Sequence, residues 1–232
     1  MSVPKRPSVA LRLPQLQNLI KRDPISYKDE FQQQLRHFYS EMEIFKLRPT
    51  NNNDRFTELI TFISHVLPSY YNNKDIDISI RNEVKEIPIS LMKLLENNGN
   101  ILHPDVRAKL LQGCIHLRNK NLIEPLNLLK LSFHLISIQD KTMRQSLTDY
   151  IFNDIKSINL NKHNEKLNKK VQGILYNLVT DDAGIIAKSA VGILVELYRR
   201  RIWIDSRTVN VIAKACNSTN IQIACKSMNF FL

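Results

Sequence analysis

The apolar positions of the chain recur with the spacing of amphipathic helices. One stripe consists of Phe31, Leu35, Phe38, Met42 and Phe45, whose separations alternate between four and three residues. This spacing places all five side chains on one face of an α-helix. The pattern SYKD at Ser26–Asp29 supplies a potential N-cap with an acid three residues later. Pro49 and the asparagines at 51–53 indicate where this helix ends.

A second stripe predicts a further helix that ends close to a proline. Its members are Phe56, Leu59, Ile60, Ile63 and Leu67. Because proline lacks an amide hydrogen and clashes with the preceding turn, we expect the helix to stop near Pro68. The polar segment SYYNNKDID at 69–77 is predicted to be a surface loop.

Beyond residue 79 the predicted helix starts recur at regular distances, and we expect shorter, more regular helices there. A proline or a potential cap precedes an apolar period at Pro104, Pro125, Asp140, Asn164, Asp182, Asp205 and Asn220. Alternate starts are 36 to 42 residues apart, and a two-helix unit of about 40 residues is the period of HEAT and armadillo repeats. The sequence therefore predicts an all-α fold, a HEAT/armadillo-like α-solenoid of stacked helix pairs.

The same pattern sets the predicted domain organisation. Residues 1–12 are expected to be a flexible N-terminal segment, and residues 13–232 a single α-helical repeat domain. The last residues, MNFFL, are apolar, whereas solenoids end on a polar capping repeat. We therefore expect the domain to continue beyond residue 232 in a longer protein. The chain has only five glycines and no alternating Val/Ile/Thr run between turn signals, which argues against a sheet and a glycine-rich phosphate loop.

Positive charge is concentrated in the second half of the chain. The sequence has 33 Lys and Arg against 22 Asp and Glu, a formal net charge of +11. Residues 101–232 hold 19 of these cations and 10 of the acids, a net of +9, whereas residues 1–100 carry +2. Such a field favours acidic or nucleic-acid partners through steering and counterion release.

Residues with catalytic or metal-binding chemistry are scattered. The six histidines and the three cysteines form no CxxC, HExxH, GxSxG or GxxxxGK[ST] pattern. The adjacent pair Asp181–Asp182 falls where a helix begins, so capping explains it better than catalysis. We expect a protein that is not an enzyme, with no catalytic residue, metal site, cofactor or small-molecule substrate. The odd number of cysteines indicates free thiols in a reducing compartment, and no segment approaches the roughly 18 apolar residues of a membrane span.

One predicted helix carries a run of lysines in the segment NLNKHNEKLNKKVQ. Lys162, Lys166, Lys169 and Lys170 stand at i, i+4, i+7 and i+8, opposite an apolar stripe of Leu167, Val171, Ile174 and Leu178. The helix therefore offers lysines along one side while it packs with the other. Phosphate binding is the functional interpretation, and a solvated face, which most lysine faces are, is the structural one.

For two further basic segments, a structural role is favoured over a binding role. In LRNKNLIEP, a tight turn between helices is favoured. Asn119 would make backbone contacts in this turn, and the cations at the helix end would offset the negative end of the helix dipole. In ELYRRRIWID, successive residues on a helix point about 100° apart, so Arg199, Arg200 and Arg201 do not share one direction. One or two of them remain candidates for binding a partner. Trp203 is expected to pack between helices rather than to stack on a base, and Asp205 to cap the next helix.

Four stretches together resemble one known family. They are LPQLQNLIKRDPISYKDEF at 13–31, LRNKNLI at 117–123, DKTMRQSLTDYIFNDIKSINLNKHNEKLN at 140–168 and ELYRRRIWIDSRTVNVIAKAC at 196–216. The combination is similar to the N-terminal region of the severe depolymerization of actin (Sda) family, eukaryotic nucleolar factors of large ribosomal subunit assembly. The resemblance covers most of residues 13–232 and is weaker over 71–100, where we expect a variable loop and a helix.

The resemblance implies a helical scaffold that acts in pre-60S particles in the nucleolus and nucleus. It implies a role in maturation and nuclear export of the large subunit, with pre-60S particles, assembly factors and rRNA as partners, and with no membrane. We take the actin phenotype in the family's name as indirect. One rival interpretation stays open, a protein-only adaptor of the karyopherin or actin-cytoskeleton-regulator type. It predicts an exposed apolar or asparagine-lined groove and binding that is insensitive to salt.

Overall fold

A computed structural model describes residues 12–160, 164–180 and 184–232, and these residues form eleven α-helices and no β-strand. The first five helices are α1 (Leu13–Arg22), α2 (Lys28–Leu47), α3 (Asp54–Tyr71), α4 (Ile78–Asn98) and α5 (Pro104–Asn119). The other six are α6 (Pro125–Leu135), α7 (Lys141–Asn159), α8 (Glu165–Thr180), α9 (Gly184–Arg199), α10 (Ser206–Ala215) and α11 (Ile221–Phe231). The N-terminal segment that we predict to be flexible lies, except for its last residue, outside the described residues.

The chain divides into two compact units, Met1–Ile123 and Glu124–Leu232. In the first unit, α3 is the central helix and packs against α1, α2, α4 and α5. The ring of Phe56 on α3 lies 5.9 Å from that of Phe38 and 5.0 Å from that of Phe45, both on α2. A Cβ atom on Gly113 of α5 would lie 2.6 Å from Ser64 Oγ on α3, so the glycine permits the close approach of these two helices.

The second unit is built from helix pairs in two layers. Helices α6, α8 and α10 follow one another in one layer, and α7, α9 and α11 in the other. Each helix of the first layer packs against the next helix of the chain in the second layer. Because each pair buries its apolar face against the neighbouring pairs, the arrangement is that of a helical-repeat stack. The predicted fold class, a HEAT/armadillo-like α-solenoid of stacked helix pairs, is confirmed. The single domain over 13–232 stays a prediction.

Most of the predicted helix starts are confirmed by their caps. Helices α5 and α6 begin at the predicted prolines. The side-chain oxygens of Asp140, Asn164, Asp205 and Asn220 accept backbone amides from the first turns of α7, α8, α10 and α11, at 2.9–3.1 Å. Each such cap stabilises a helix by about 1 kcal/mol. The remaining predicted start, Asp182, lies outside the described residues.

The predicted end of α3 near Pro68 is wrong. The helix continues through this proline to Tyr71, so the predicted loop at 69–77 is reduced to residues 72–77. Tertiary packing holds the last turn: the buried ring of Tyr70 stacks on Phe31 at a centroid distance of 4.0 Å. Its hydroxyl also donates a hydrogen bond to the Pro24 carbonyl at 3.0 Å. These contacts offset the backbone hydrogen bond that proline removes.

Two other local expectations are corrected. Helix α2 begins at Lys28 without a side-chain cap, because Asp23 Oδ1 accepts the Ser26 amide at 3.1 Å and holds the preceding residues in a turn. The five apolar residues predicted to form its buried stripe are nevertheless all buried. Helix α4 is the longest described helix, at 21 residues, and it runs through Pro88, so the helices after residue 79 do not all become shorter.

Candidate nucleic-acid interface

The lysines Lys166, Lys169 and Lys170, named here the α8 lysines, are exposed on the first turns of α8. Lys162, the fourth member of the predicted run, lies outside the described residues. Lys166 and Lys170 line a cleft of about 350 Å³ beside the start of α6, together with Glu124. Lys169 instead faces a cleft of about 520 Å³ on the α10 side of the helix and pairs with Glu165 at 3.7 Å. The lysines therefore lie on both sides of α8 rather than along one.

The buried face of α8 is rotated by about one residue from the predicted stripe. Val171 is buried as expected, but Leu167, Ile174 and Leu178 are only half-buried, and the other buried residues are Asn168, Leu175 and Tyr176. Two polar contacts cause the rotation. The amides of Asn168 and Asn159 exchange hydrogen bonds of 2.6 and 3.1 Å, and the Tyr176 hydroxyl lies 2.8 Å from Thr208 Oγ1 on α10. Hydrogen bonding makes the burial of these polar groups tolerable.

The three arginines at the end of α9 have different surroundings. Arg199 lies near α11, where its guanidinium donates to the Asn229 carbonyl at 3.4 Å. Arg200 pairs with Glu196 and lies over the ring of Phe152 on α7, 4.3 Å from its centroid. Arg201 has a left-handed backbone with φ of 57°. All three side chains are exposed, so their contact with rRNA stays a prediction.

Arg201 forms the turn that ends α9. Its amide donates to the Tyr198 carbonyl at 2.8 Å, and the Ile202 amide donates to the Leu197 carbonyl at 2.9 Å. This pair of bonds is the Schellman motif, which satisfies the last carbonyls of a helix and normally uses glycine at the left-handed position. The turn directs the following Trp203 into the interior, where it is 2% exposed, and Asp205 caps α10.

The same turn ends α5, with asparagine in place of arginine. Asn121 has φ of 60°, its amide donates to the Arg118 carbonyl at 2.9 Å, and the Leu122 amide donates to the Leu117 carbonyl at 3.0 Å. The expected tight turn is present, but the residue that forms it is Asn121 and not Asn119, which is exposed. Asparagine tolerates the left-handed region better than most residues, which explains its position here.

A basic groove that the sequence reasoning missed lies on the second layer of the second unit. It measures about 920 Å³ and is lined by side chains of α7, α9 and α11. Its cations are Lys141, Arg144, Lys188, Arg199 and Lys226, and we name it the α7–α9–α11 groove. Arg144, Lys188 and Lys226 are 44 and 38 residues apart, close to the repeat period. Aligning the cations on that period would have found the groove.

Another cleft of the second unit is lined by amides. It measures about 960 Å³, and its lining includes the exposed residues Asn177, Asn210, Asn217 and Asn220 of α8, α10 and the turn before α11. We name it the asparagine cleft. A carboxamide both donates and accepts hydrogen bonds, so it suits a peptide backbone. The rival adaptor interpretation predicts a groove of this kind.

The expectations of no metal site and no membrane span concern the following features of the described part of the chain. No three of its His, Cys, Asp or Glu side chains are grouped so that they could hold a metal ion. Burial raises the pKa of the Cys114 thiol to about 12, whereas Cys225 is exposed. No described helix is long and apolar enough to cross a membrane.

Two histidines of the first unit stack on each other, and their contact predicts a pH effect. The rings of His65 and His116 lie 4.2 Å apart. Burial lowers the pKa of His116 below its usual 6.5, and the neighbouring His65, Lys120 and Lys21 lower it further. The unfolded chain therefore takes up a proton on this histidine more readily than the folded chain does. Above about pH 6.5 this difference has no effect on stability. Below that pH, protonation favours the unfolded state, so the fold loses stability.

We expect the melting temperature to fall between about pH 7.5 and pH 5.5, and His116→Gln to reduce that fall. Thermal unfolding followed by circular dichroism measures both curves. A difference between wild type and variant that stays constant over this range would contradict the assignment. His37→Gln, on α2, is the control because His37 has no comparable ring contact among the described residues.

Comparison with known proteins decides the family. The model of the family described as SDA1, HEAT repeat, matches residues 62–232. The chain belongs to the SDA1 HEAT-repeat family. The resemblance that the four sequence stretches indicate is thereby confirmed, and HEAT repeats agree with the paired helices of the second unit. The α8 lysines and the α7–α9–α11 groove both lie within the matched segment.

Curated relatives of the SDA1 family extend the match to nearly the whole chain. The chain is 42% identical to a Protein SDA1 homolog of Xenopus tropicalis over 223 residues, which is 95% of the chain and 30% of that relative. It is 39% identical to a homolog of Dictyostelium discoideum over 222 residues, which is 96% of the chain and 28% of the relative. Protein sda1 of Schizosaccharomyces pombe is 32% identical over 241 residues. The chain thus spans about 30% of the length of the relatives it matches.

Proposed function

We propose that this SDA1-family chain is a non-enzymatic scaffold in large ribosomal subunit assembly, which binds pre-60S particles through protein and rRNA contacts. Its partners are then pre-60S particles, assembly factors and rRNA, and its site of action is the nucleolus and nucleus, including nuclear export of the particle. The resemblance to the Sda family supports the assembly role. The main observation in support of an RNA contact is the excess of positive charge in residues 101–232, a net of +9.

The physical mechanism of the scaffold is rigid presentation of a large surface. In the second unit each helix pair packs against a neighbouring pair, and the middle pair, α8 and α9, has a neighbour on both sides, so side chains on different helices keep fixed relative positions. The α8 lysines and Arg199–Arg201 supply exposed cations on this frame. Lysines and arginines on a fixed surface contact phosphates without reading bases, and their affinity falls steeply with salt.

Reversing the charge of the α8 lysines tests the RNA contact. We expect Lys166→Glu, Lys169→Glu and Lys170→Glu together to weaken binding to large-subunit rRNA fragments by at least roughly tenfold and to lower the slope of log affinity against log salt by about 2. Fluorescence anisotropy of the purified chain at several salt concentrations measures both quantities. Because Lys169 already pairs with Glu165 at 3.7 Å, reversal of Lys166 and Lys170 should account for most of the loss.

The matched control reverses three exposed lysines of the same unit away from α8, Lys130, Lys156 and Lys214. It makes the same change in net charge, so it should lower affinity by much less than the α8 variant. Equal effects of the two triple variants would mean that net charge, and not the α8 surface, determines binding. No change in affinity or salt dependence with the α8 variant would show that these lysines do not bind rRNA.

The asparagine cleft favours a second candidate function, the protein-only adaptor. An extended polypeptide could pair its backbone with Asn177, Asn210 and Asn217, which are exposed along one cleft. Binding of that kind would depend little on salt, and it would survive treatment of the complex with ribonuclease. Partner recovery that is lost with Asn177→Ala and Asn210→Ala, but unaffected by ribonuclease, would favour the adaptor over the RNA-contacting scaffold.

A further inference from the structure

We infer that the α7–α9–α11 groove is a second binding surface of this chain, which takes the phosphodiester backbone of RNA without reading its sequence. The groove is formed by the layer of helices that does not contain α8, so it is separate from the α8 lysines. In the cell its ligand would be the RNA of the proposed pre-ribosomal partner, and to that extent the inference rests on the proposed function. The physical argument for an RNA site stands on the groove itself.

The groove is strongly cationic in its lining. Among the described residues, five cations face it and one acid, Glu196, which pairs with Arg200. Lys188 Nζ donates to Gln222 Oε1 at 2.8 Å, and Arg144 Nη1 donates to the Ile138 carbonyl at 2.8 Å. Both partners are neutral, so they position the two cations without compensating their charge. A polyanion is therefore the complementary ligand.

Lys226 is held in the groove by the shape of α9. A Cβ atom on Gly192 would collide with Lys226 Nζ, so the glycine leaves room for the lysine to lie across the helix. There Nζ donates to the Lys188 carbonyl at 3.3 Å. Burial, and then the charge of Lys188, lower the pKa of Lys226. A bound phosphate would offset both effects, because its negative charge favours the protonated form of the lysine.

The other side chains of the groove favour a nucleic-acid backbone over an acidic peptide. Gln145, Thr148, Ser189, Asn220 and Gln222 add amide and hydroxyl groups to the lining. Together with lysine and arginine, these are the residue types that contact phosphate and sugar oxygens. Many peptide sites add a buried apolar or aromatic anchor, whereas the described apolar lining here consists of Ile185, which is exposed, and the buried Val195.

The described residues of the lining include no aromatic side chain on which a base could stack. Sequence preference in single-stranded RNA recognition comes from hydrogen bonds to the edges of bases that are splayed out and stacked on aromatic side chains. Charged and polar side chains at the same place in successive repeats instead suit a ligand whose charges recur at regular intervals. The groove should therefore bind RNA with little preference among sequences and with strong salt dependence.

The test uses the purified chain and a fluorescent homopolymeric uridine RNA as the probe, with affinity measured by anisotropy across salt concentrations. We expect the triple variant Lys141→Gln, Lys188→Gln and Lys226→Gln to bind at least roughly tenfold more weakly, with a salt slope reduced by about 2. The control replaces Lys130, Lys156 and Lys214 by glutamine and should stay within about twofold of the parent chain. Circular dichroism melts establish that both variants are folded.

A second variant keeps every native cation and adds a charge. Ser189→Glu places a carboxylate on the groove wall, and we expect it also to weaken RNA binding, with a smaller effect than the triple variant. The groove assignment is overturned if both variants bind RNA as the control does. It is likewise overturned if poly-glutamate binds the parent chain through the groove cations while the uridine RNA does not, since the ligand would then be an acidic polypeptide.

Failure of the groove assignment can be distinguished from failure of the proposed function. Weaker RNA binding by the groove variants, together with a full-length protein that recovers no pre-rRNA from cells, would keep the groove as an RNA site and reject the pre-ribosomal role. Recovery of large-subunit pre-rRNA together with unchanged binding by the groove variants would support the pre-ribosomal role and reject the groove as an RNA site.

Discussion

Replacing Trp203 by alanine is expected to lower the free energy of unfolding by about 3–5 kcal/mol, the usual cost of removing a buried large aromatic side chain. Trp203 is 2% exposed and is among the largest fully buried side chains of the described residues. It follows the left-handed turn at Arg201 and precedes the α10 cap at Asp205. Truncation would leave a cavity at the point where the chain passes from α9 to α10.

Urea unfolding followed by circular dichroism measures this change, since the variant lacks the chain's only tryptophan and its fluorescence. Trp203→Phe is the informative control. The indole Nε1 of Trp203 is buried without a hydrogen-bond partner among the described residues, so phenylalanine removes an unsatisfied donor as well as some apolar surface. We expect the phenylalanine variant to lose about 1–2 kcal/mol. Equal losses for alanine and phenylalanine would contradict a packing role for this side chain.

Phe56→Ala is expected to have a comparable effect in the first unit, again about 3–5 kcal/mol. Phe56 is fully buried, and its ring lies within 6 Å of two other phenylalanine rings, Phe38 and Phe45. These rings join α2 to α3, the central helix of the unit. Phe56→Leu retains most of the apolar volume but loses the ring contacts, so it should cost about 1–1.5 kcal/mol.

Denaturant unfolding measures the loss, and hydrogen exchange locates it. The amides of α2 and α3 should lose protection first in Phe56→Ala. Unchanged protection of α2 and α3, despite a lowered free energy of unfolding, would mean that the aromatic cluster does not hold these two helices together. A loss below about 1 kcal/mol for alanine would contradict the burial of this residue.

Features that depend on local sequence could be predicted. The apolar stripe of α2 is buried as its spacing indicates, and Asp140, Asn164 and Asp205 cap helices where expected. These signals succeed because a cap and an amphipathic face are determined by residues within one or two helical turns. The spacing of helix starts likewise indicated the repeat fold, since each pair is a local unit.

Features that depend on residues far apart in the sequence could not be predicted. Pro68 lies inside α3 because Tyr70 packs on Phe31, which is 39 residues earlier in the sequence. Asn168 is buried because Asn159, on the preceding helix, satisfies its amide. In both cases tertiary contacts override a local preference.

The candidate RNA-binding residues could likewise be predicted only in part. The α8 lysines were visible as a run on one helix, but their separation onto two sides of α8 follows from the positions of α6 and α10. The α7–α9–α11 groove brings together cations from three helices. No single helix carries enough of them to form a pattern, so only the repeat period links them in the sequence.

The most direct test of the central claim is to purify the full-length protein that contains this chain from cells and to sequence the RNA bound to it. A scaffold of large-subunit assembly should recover pre-rRNA of the large ribosomal subunit, together with proteins of pre-60S particles. Reversing the α8 lysines should reduce that recovery. Recovery of partners without RNA, in complexes that resist both salt and ribonuclease, would contradict the proposed pre-ribosomal role and support a protein-only adaptor.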